Sequence, residues 1–456
     1  MSGITGISLT MPSILGKIPR RRERPLNFLV VVSDDQCYRA IGYNNRVVKT
    51  PALDRLAGQG IIFDHAYVAS PICVASRASL LTGLFPQQHG AIALDPTGFR
   101  KSVVEEKRYK TVAHLLAGAG YTTAFCGKSH LGEPRDYGFM LGEEHKDTTD
   151  NETFAFVAQF LDQRRGNPDP FFLWVAPRQP HLPLRPGPEW LDLYRDARLE
   201  VDPNFLESPP EGSIYNQGMP GQRFFRDTTV TGNYKNLPGG PPRTREMMLD
   251  YVRAYYAAVS RLDQQVGQLV AQLEASKLYG HTVIVFLSDN GYLLGNHGLG
   301  NKITMHEESV RIPMFIHWNG LSKKQVRCPA LVSSLDLVPT VLDLTGVAKP
   351  GNLSGLSLAP LFAHPRRQLR KYVASECVGV GGTLGMGHRM VRTGRWKYVL
   401  TDVNDEALFD EGADPYEMNN VAGQESNRRT LSRLRRYMTE WMDRIGDTHE
   451  RPPRTV

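Results

Sequence analysis

Apolar positions along the chain fall into two kinds of run. Asn27–Ser33 (NFLVVVS) is continuously apolar and rich in β-branched residues, the pattern of a strand covered on both faces. Thr122–Cys126, Phe171–Ala176 and Thr282–Leu287 repeat that pattern, and Ile312–Ile316 adds a shorter run. Between them the period changes. Met248, Val252, Tyr255, Val259, Leu262, Val266, Leu269 and Leu273 recur at alternating steps of four and three, which predicts one long amphipathic helix. Thr111–Gly120 and Leu335–Leu344 predict two shorter helices. Strands alternating with helices imply an α/β fold with a large, mostly parallel central sheet flanked by helices. Ligands of such sheets bind beyond the carboxyl ends of the strands.

After about residue 365 the texture changes. Tyr372–Val378, His388–Thr393 and Arg395–Leu400 predict short strands, the last two joined as a hairpin at Gly394, and Leu408–Asp410 adds another. Arg428–Ile445 predicts a basic amphipathic helix. The division expected is an N-terminal arm (1–24), a large α/β domain (25–365) and a smaller C-terminal α+β lobe with an antiparallel sheet (366–456). Arg178–Thr244 is rich in Pro, Gly and polar residues and shows little periodicity, which marks a functional or disordered loop region.

Composition narrows the class. The 456 residues carry 41% hydrophobic and 22% charged positions, as in an ordinary globular protein. No apolar run reaches the roughly 18 residues of a membrane span. The net charge of +7 is mild and, with no recognisable nucleic-acid module, predicts no nucleic-acid partner. Residues 1–19 are weakly apolar and precede the basic run Arg20–Arg24, the reverse of a secretory signal. Five cysteines form no CxxC pair and no even framework, so free thiols and a cytoplasmic location are expected.

The candidate chemistry sits at strand ends. Asp34-Asp35 follow one buried run and Ser288-Asp289-Asn290-Gly291 ends another. Either pair alone suits a solvated strand end. Two on one parallel sheet converge on one crevice and offer hard oxygen ligands, suited to Ca²⁺ or Mg²⁺. Cys73 precedes a helix that Gly83 stops, and Arg77 returns to the same face four residues on. A cysteine near a helix N-terminus lies where anions are favoured.

The segment Cys73-Val74-Ala75-Ser76-Arg77 with Ser79-Leu80-Leu81-Thr82-Gly83 resembles the signature of type I, formylglycine-dependent sulfatases of the alkaline-phosphatase-like superfamily. The resemblance extends over Gly127–Gly132 (GKSHLG), Pro180–Pro183 (PHLP), His297-Gly298-Leu299 with Lys302, Gly394–Tyr398 (GRWKY) and Asp414–Glu417 (DPYE). Ala75 departs from the commoner proline, which bears on how efficiently a host modifies Cys73.

The resemblance implies a sulfatase acting on a sulfated small molecule or glycan, a sulfated carbohydrate first and an aryl sulfate second. A formylglycine-generating enzyme would oxidise Cys73, and homo-oligomer formation is left open. Asp34, Asp35, Asp289, Asn290 and residue 73 are the implied ligands of Ca²⁺, with Mg²⁺ or Mn²⁺ as alternatives. A hydroxyl of the hydrated aldehyde, helped by Asp289, would attack sulfur, and Arg77, Lys128 and Lys302 would neutralise the sulfuryl oxygens. His181, with Lys302, would protonate the leaving alcohol, and His130 would take the proton that lets sulfate depart. Arg178, His388 and Arg389 are the expected outer substrate contacts, with Arg178–Thr244 and Gly379–Gly387 as pocket walls. A phosphonate monoester or phosphodiester hydrolase is the nearest alternative, and a non-catalytic anion-binding relative with unmodified Cys73 another.

Overall fold

The computed structural model describes residues 24–92, 109–211, 213–214, 244–377, 387–402, 404–449 and 451–452. The expected N-terminal arm up to residue 23, the later part of the Arg178–Thr244 loop region and nearly all of the Gly379–Gly387 loop lie outside them.

Among the described residues the strands are, in chain order, β1 Asn27–Ser33, β2 Ile61–Tyr67, β3 Thr122–Gly127, β4 Leu141–Glu144, β5 Phe171–Ala176, β6 Thr282–Ser288, β7 Leu293–Leu294, β8 Gly300–Asn301, β9 Met314–His317, β10 Val326–Ser333, β11 Val373–Cys377, β12 His388–Arg392, β13 Trp396–Thr401 and β14 Glu406–Asp410. Eight of them form the main sheet in the order β10-β2-β9-β6-β1-β5-β3-β4. All its pairings are parallel except those of β9, which runs antiparallel to both β2 and β6. The Ile312–Ile316 run is therefore a strand of opposite sense. Its connection from β6 holds only the short helix Glu307–Val310 and the β7–β8 ribbon, with no crossover to carry the chain back to the other edge.

The continuous apolar runs are explained by burial on both faces. In β1, Phe28, Val30 and Val32 join one core cluster, and Leu29 and Val31 join the other. β5 and β6 split in the same way. The helix Cys73–Thr82 covers the first face through Val74, Ala78 and Leu81. The helix Arg245–Ala275 spans 31 residues, and all eight positions of its predicted stripe are buried. Thr244 caps it by accepting from the Met247 amide. Periodicity did not reveal β10, where Arg327 and Pro329 interrupt the apolar pattern. A sheet edge tolerates a proline, and the register shifts there between Cys328 and Leu331.

The smaller sheet, β11-β12-β13-β14, is antiparallel throughout. The helix Arg428–Ile445 buries Leu434, Met438 and Trp441 against Val391, Tyr398 and Leu400. The opposite face presents Met390, Val399 and Ala407 to the core of the main sheet. Among the described residues no helix is long and apolar enough to cross a membrane.

Candidate active site

The parallel strands deliver their next residues to one edge. Asp34 and Asp35 follow β1, Lys128 follows β3, the Arg178–Pro183 turn follows β5, and Asp289 and Asn290 follow β6. The main chain ties these ends together. The Asp289 amide donates to the Ser33 carbonyl at 3.0 Å, and the Asp34 amide to the Gln179 carbonyl at 3.2 Å. Asp35 has a φ of 61°, which turns its side chain back into the cluster. Its amide donates to Asp289 Oδ1 at 3.1 Å, and its carboxylate accepts from Asn290 Nδ2 at 2.7 Å.

Cys73 opens the helix Cys73–Thr82. Ile72 stands at the cap position without a side-chain cap, so the first amides stay open to an anion. Gly83, at φ 71°, ends the helix in the left-handed region. Arg77 is buried on the same face. Its Nε donates to Asp289 Oδ2 at 2.8 Å, and another guanidinium nitrogen donates to the Lys128 carbonyl at 2.8 Å. Lys128 Nζ lies 2.5 Å from Asp34 Oδ2. Lys302 Nζ lies 2.5 Å from Cys73 Sγ and also donates to Asp35 Oδ1. His181 places Nε2 3.6 Å from Asp35 Oδ2 while Nδ1 donates to the Leu182 carbonyl at 2.5 Å.

Electrostatics follow from this packing. Burial alone would raise Asp34, but Lys128, His181 and Arg77 outweigh it and hold its carboxyl well below the usual range. Asp289 goes the other way: burial exceeds the pull of Arg77, and its pKa rises to about 6. Burial pushes the Cys73 thiol up to about 12 despite Lys128 and Lys302, so the plain side chain is un-ionised at neutral pH. An unmodified thiol is therefore a poor nucleophile here. His130 is pushed down to about 2, first by burial and then by Lys128, so the ring is neutral and resists protonation among these cations. His181 is lowered by burial and Lys128, with Asp34 and Asp35 pulling the other way.

A divalent cation fits these residues. Asp34, Asp35, Cys73 and His181 each offer a ligand atom within 4.8 Å of one another. Asp34 Oδ1 and Asn290 Oδ1 are buried acceptors with no hydrogen-bond partner, as cation ligands are. Carboxylate and amide oxygens make a hard donor set. Asp289 stands behind this group, both of its oxygens engaged by Asp35 and Arg77.

The expected outer contacts divide. Arg178 lies at the rim, partly exposed, with Nε donating to the His145 carbonyl at 3.1 Å and its guanidinium 3.6 Å from Glu144. The Glu144 carboxylate accepts in turn from the His130 amide at 3.4 Å. His388 is fully buried in β12, its Nε2 bonded to the Ile303 carbonyl beneath Lys302. Arg389 is a correction. Its guanidinium is buried between Asp402 and Asp447 in the C-terminal lobe, because alternation along β12 turns it away from the cluster. Sequence reasoning missed Ser76, whose hydroxyl donates to the Asp289 carbonyl, and Tyr255, whose hydroxyl donates to the Asp35 carbonyl. Ser76 lay inside the Cys73 motif. Tyr255 was visible only as one member of an apolar helix stripe.

Comparison with known proteins agrees with this geometry. The sulfatase family model matches residues 26–347, and a model described as N-sulphoglucosamine sulphohydrolase, C-terminal, matches 295–444. An N-acetylglucosamine-6-O-sulfatase of Bacteroides thetaiotaomicron is 25% identical over 98% of this chain and 92% of its own length. A solved structure in complex with its substrate D-glucosamine-2-N,6-O-disulfate shares the fold, with a TM-score of 0.81 at 24% identity, covering 93% of this chain and 99% of the other. A phosphonate monoester hydrolase from Silicibacter pomeroyi also shares it, with a TM-score of 0.76 at 22% identity over 93% of this chain and 96% of its own. With its catalytic elements matched from before β1 to beyond the helix Leu337–Thr345, the chain belongs to the sulfatase family.

Proposed function

We propose that this sulfatase cleaves the sulfate ester of a sulfated carbohydrate, with formylglycine at position 73 and Ca²⁺ beside it. One observation carries the reading. Cys73 sits at a helix start, 2.5 Å from Lys302 Nζ, with the Arg77 guanidinium on the same buried face and two strand-end carboxylates alongside. Asp34, Asp35 and Asn290 would hold the cation, with residue 73 and Asp289 beside them. The bound cation supplies charge that polarises a sulfate oxygen and acidifies a neighbouring hydroxyl. Formylglycine, once hydrated, supplies a hydroxyl to attack sulfur and a second whose deprotonation lets sulfate leave.

The chain's own residues do the rest. Arg77, Lys128 and Lys302 present three cations to the sulfuryl oxygens from a desolvated wall, where charge counts for more than in water. The Nδ1–H of His181 is held by the Leu182 carbonyl, which leaves Nε2 to carry the proton for the departing alcohol. Asp35, 3.6 Å from that atom, offsets part of the lowering that burial and Lys128 impose on the ring. His130 follows Lys128 at the end of β3 and is the candidate to take the proton of the second hydroxyl. The unliganded packing disfavours its charged form, so that role needs the negative charge of bound sulfate beside it. A sugar as leaving group is supported by the N-acetylglucosamine-6-O-sulfatase relative.

A second reading, phosphonate monoester hydrolysis, draws on the shared fold of the Silicibacter pomeroyi enzyme. Relative turnover of a sulfate ester and a phenylphosphonate separates the two. The formylglycine reading is tested by co-expression with a formylglycine-generating enzyme. Peptide mass spectrometry should then show the aldehyde at residue 73, and sulfatase activity should scale with the modified fraction. Cys73→Ala should fold and be inactive. Equal turnover by fully unmodified protein would overturn the reading.

A further inference from the structure

Asp150 is fully buried and has a φ of 60°, a backbone conformation that an aspartate adopts at some cost in strain. It stands directly before the helix Asn151–Gln163, where an aspartate ordinarily caps the helix with its own carboxylate. Here it makes no side-chain cap. Asp147 does that work instead, accepting from the Asn151 amide at 2.9 Å. The Asp150 carboxylate is turned across to the segment that follows β5. It accepts from the Arg178 amide at 2.7 Å, the Gln179 amide at 3.0 Å and Gln179 Nε2 at 3.2 Å. None of these partners is a cation. A buried carboxylate satisfied only by amide donors is costly to desolvate, and burial raises its pKa to about 6. Helix capping does not account for that expense, because the cap is supplied by another residue.

What the carboxylate holds is two reacting groups at once. The Gln179 carbonyl accepts from the Asp34 amide at 3.2 Å, fixing the first aspartate of the cation cluster. The Arg178 carbonyl accepts from the His181 amide at 2.8 Å, closing the turn that presents His181. The Gln179 side chain is braced further by the long helix, with its Nε2 3.2 Å from Gln265 Oε1. Gln265 in turn donates to the Thr149 carbonyl at 3.0 Å, next to Asp150. The ring Asp150–Gln179–Gln265–Thr149 is thus closed, buried except at Thr149, and anchored on two helices. By contrast, Asp263 also accepts from two backbone amides, those of Ala52 and Leu53, but these open a helix remote from the cluster.

We infer that Asp150, with Gln179, is a positioning residue for the sulfatase reaction, holding His181 at the leaving-group oxygen and Asp34 at the cation cluster from behind. The inference rests on the general-acid reading of His181. It touches neither substrate nor cation, so its loss should act through geometry. In Asp150→Asn one oxygen becomes an NH₂ that faces an amide donor, and the turn should shift without loss of volume.

The experiment measures kcat and KM on a poor leaving group, a sugar sulfate, and on nitrophenyl sulfate, for formylglycine-bearing wild type, Asp150→Asn, His181→Ala and the double variant. An alkoxide needs the proton far more than a nitrophenolate does. Asp150→Asn should lower kcat on the sugar sulfate about tenfold more than on nitrophenyl sulfate, with KM changed less than about threefold. In the His181→Ala background it should leave the ratio of the two substrates unchanged. Gln179→Leu keeps the backbone bonds, and it should move the ratio the same way should Asp150→Asn fail to fold. A ratio raised in His181→Ala but unchanged in the folded positioning variants overturns the inference alone. A ratio unchanged in His181→Ala removes the general-acid reading and this inference with it. Additive effects in the double variant would also overturn it.

Discussion

Asp34 is buried with Lys128 Nζ on one oxygen and the Arg77 guanidinium 3.6 Å from the other, which has no hydrogen-bond partner. That pairing keeps it ionised where burial alone would neutralise it. Asp34→Ala should therefore remove a ligand and also leave Lys128 unpaired in a buried wall. Bound metal, measured by elemental analysis of purified protein, should fall below about a tenth of the wild-type level, with turnover lower by at least about 100-fold. Full metal occupancy in this variant would show that the cation is held elsewhere. Asp34, Asp35, Asp289 and Asn290 were legible because adjacent polar residues ended otherwise apolar runs. Arg389 was misread for the same kind of reason. A basic residue after a glycine-rich loop looks like a rim contact, and its partners Asp402 and Asp447 lie far enough along the chain to be invisible locally.

At the scale of elements, the strand ends set the precision of the site. β3 closes on Gly127, whose φ of 101° lets the chain turn so that the Lys128 amide donates to the Ala176 carbonyl at 2.7 Å. A Cβ at this position would meet the Ala176 carbonyl oxygen at 2.1 Å, and that oxygen is backbone and cannot swing aside. Gly127→Ala should destabilise the fold by on the order of 2–4 kcal/mol, from overpacking and left-handed strain together. Urea unfolding should read this as a lower midpoint with an unchanged slope. A midpoint equal to wild type would mean that the β3–β5 end relaxes freely. The sequence marked Gly127 as part of a motif but not its conformation. Nor could it give the antiparallel sense of β9, since strand direction is set by where the connector runs and not by the strand's own residues.

The two lobes of the molecule share an interior. Lys397, the lysine of the GRWKY segment, is buried 2.8 Å from Glu307 Oε1, 2.6 Å from Glu417 Oε1 and 3.6 Å from Glu411 Oε1. The Glu417 carboxylate also accepts from the Glu307 amide at 2.7 Å, so the DPYE segment grips the short helix just beyond Lys302. We propose that the division near residue 365 separates two lobes of one folding unit. Lys397→Met should leave the three glutamates with, among the described residues, only Arg311 and Arg392 to offset them, on Glu307 and Glu411, and cost about 3–5 kcal/mol. Calorimetry should show one transition moved to lower temperature. Two separate transitions, with only one moved, would mean that the lobes fold independently.

Local pattern alone determined most of the elements. A run buried on both faces has to be apolar, and a helix face has to repeat at its own period, so β1, β5, the helix Arg245–Ala275 and the helix Arg428–Ile445 were legible at or near their observed bounds. The strand-end aspartates and the Cys73–Arg77 spacing were legible for the same reason, since neighbours in sequence share an element. What only the tertiary structure decided were partnerships across long stretches of chain. Lys302 reaches Cys73, Asp150 holds Gln179, and Lys397 sits among three glutamates. A charge written in a sequence does not say which opposite charge it will be buried with, because that choice belongs to the packing of whole elements.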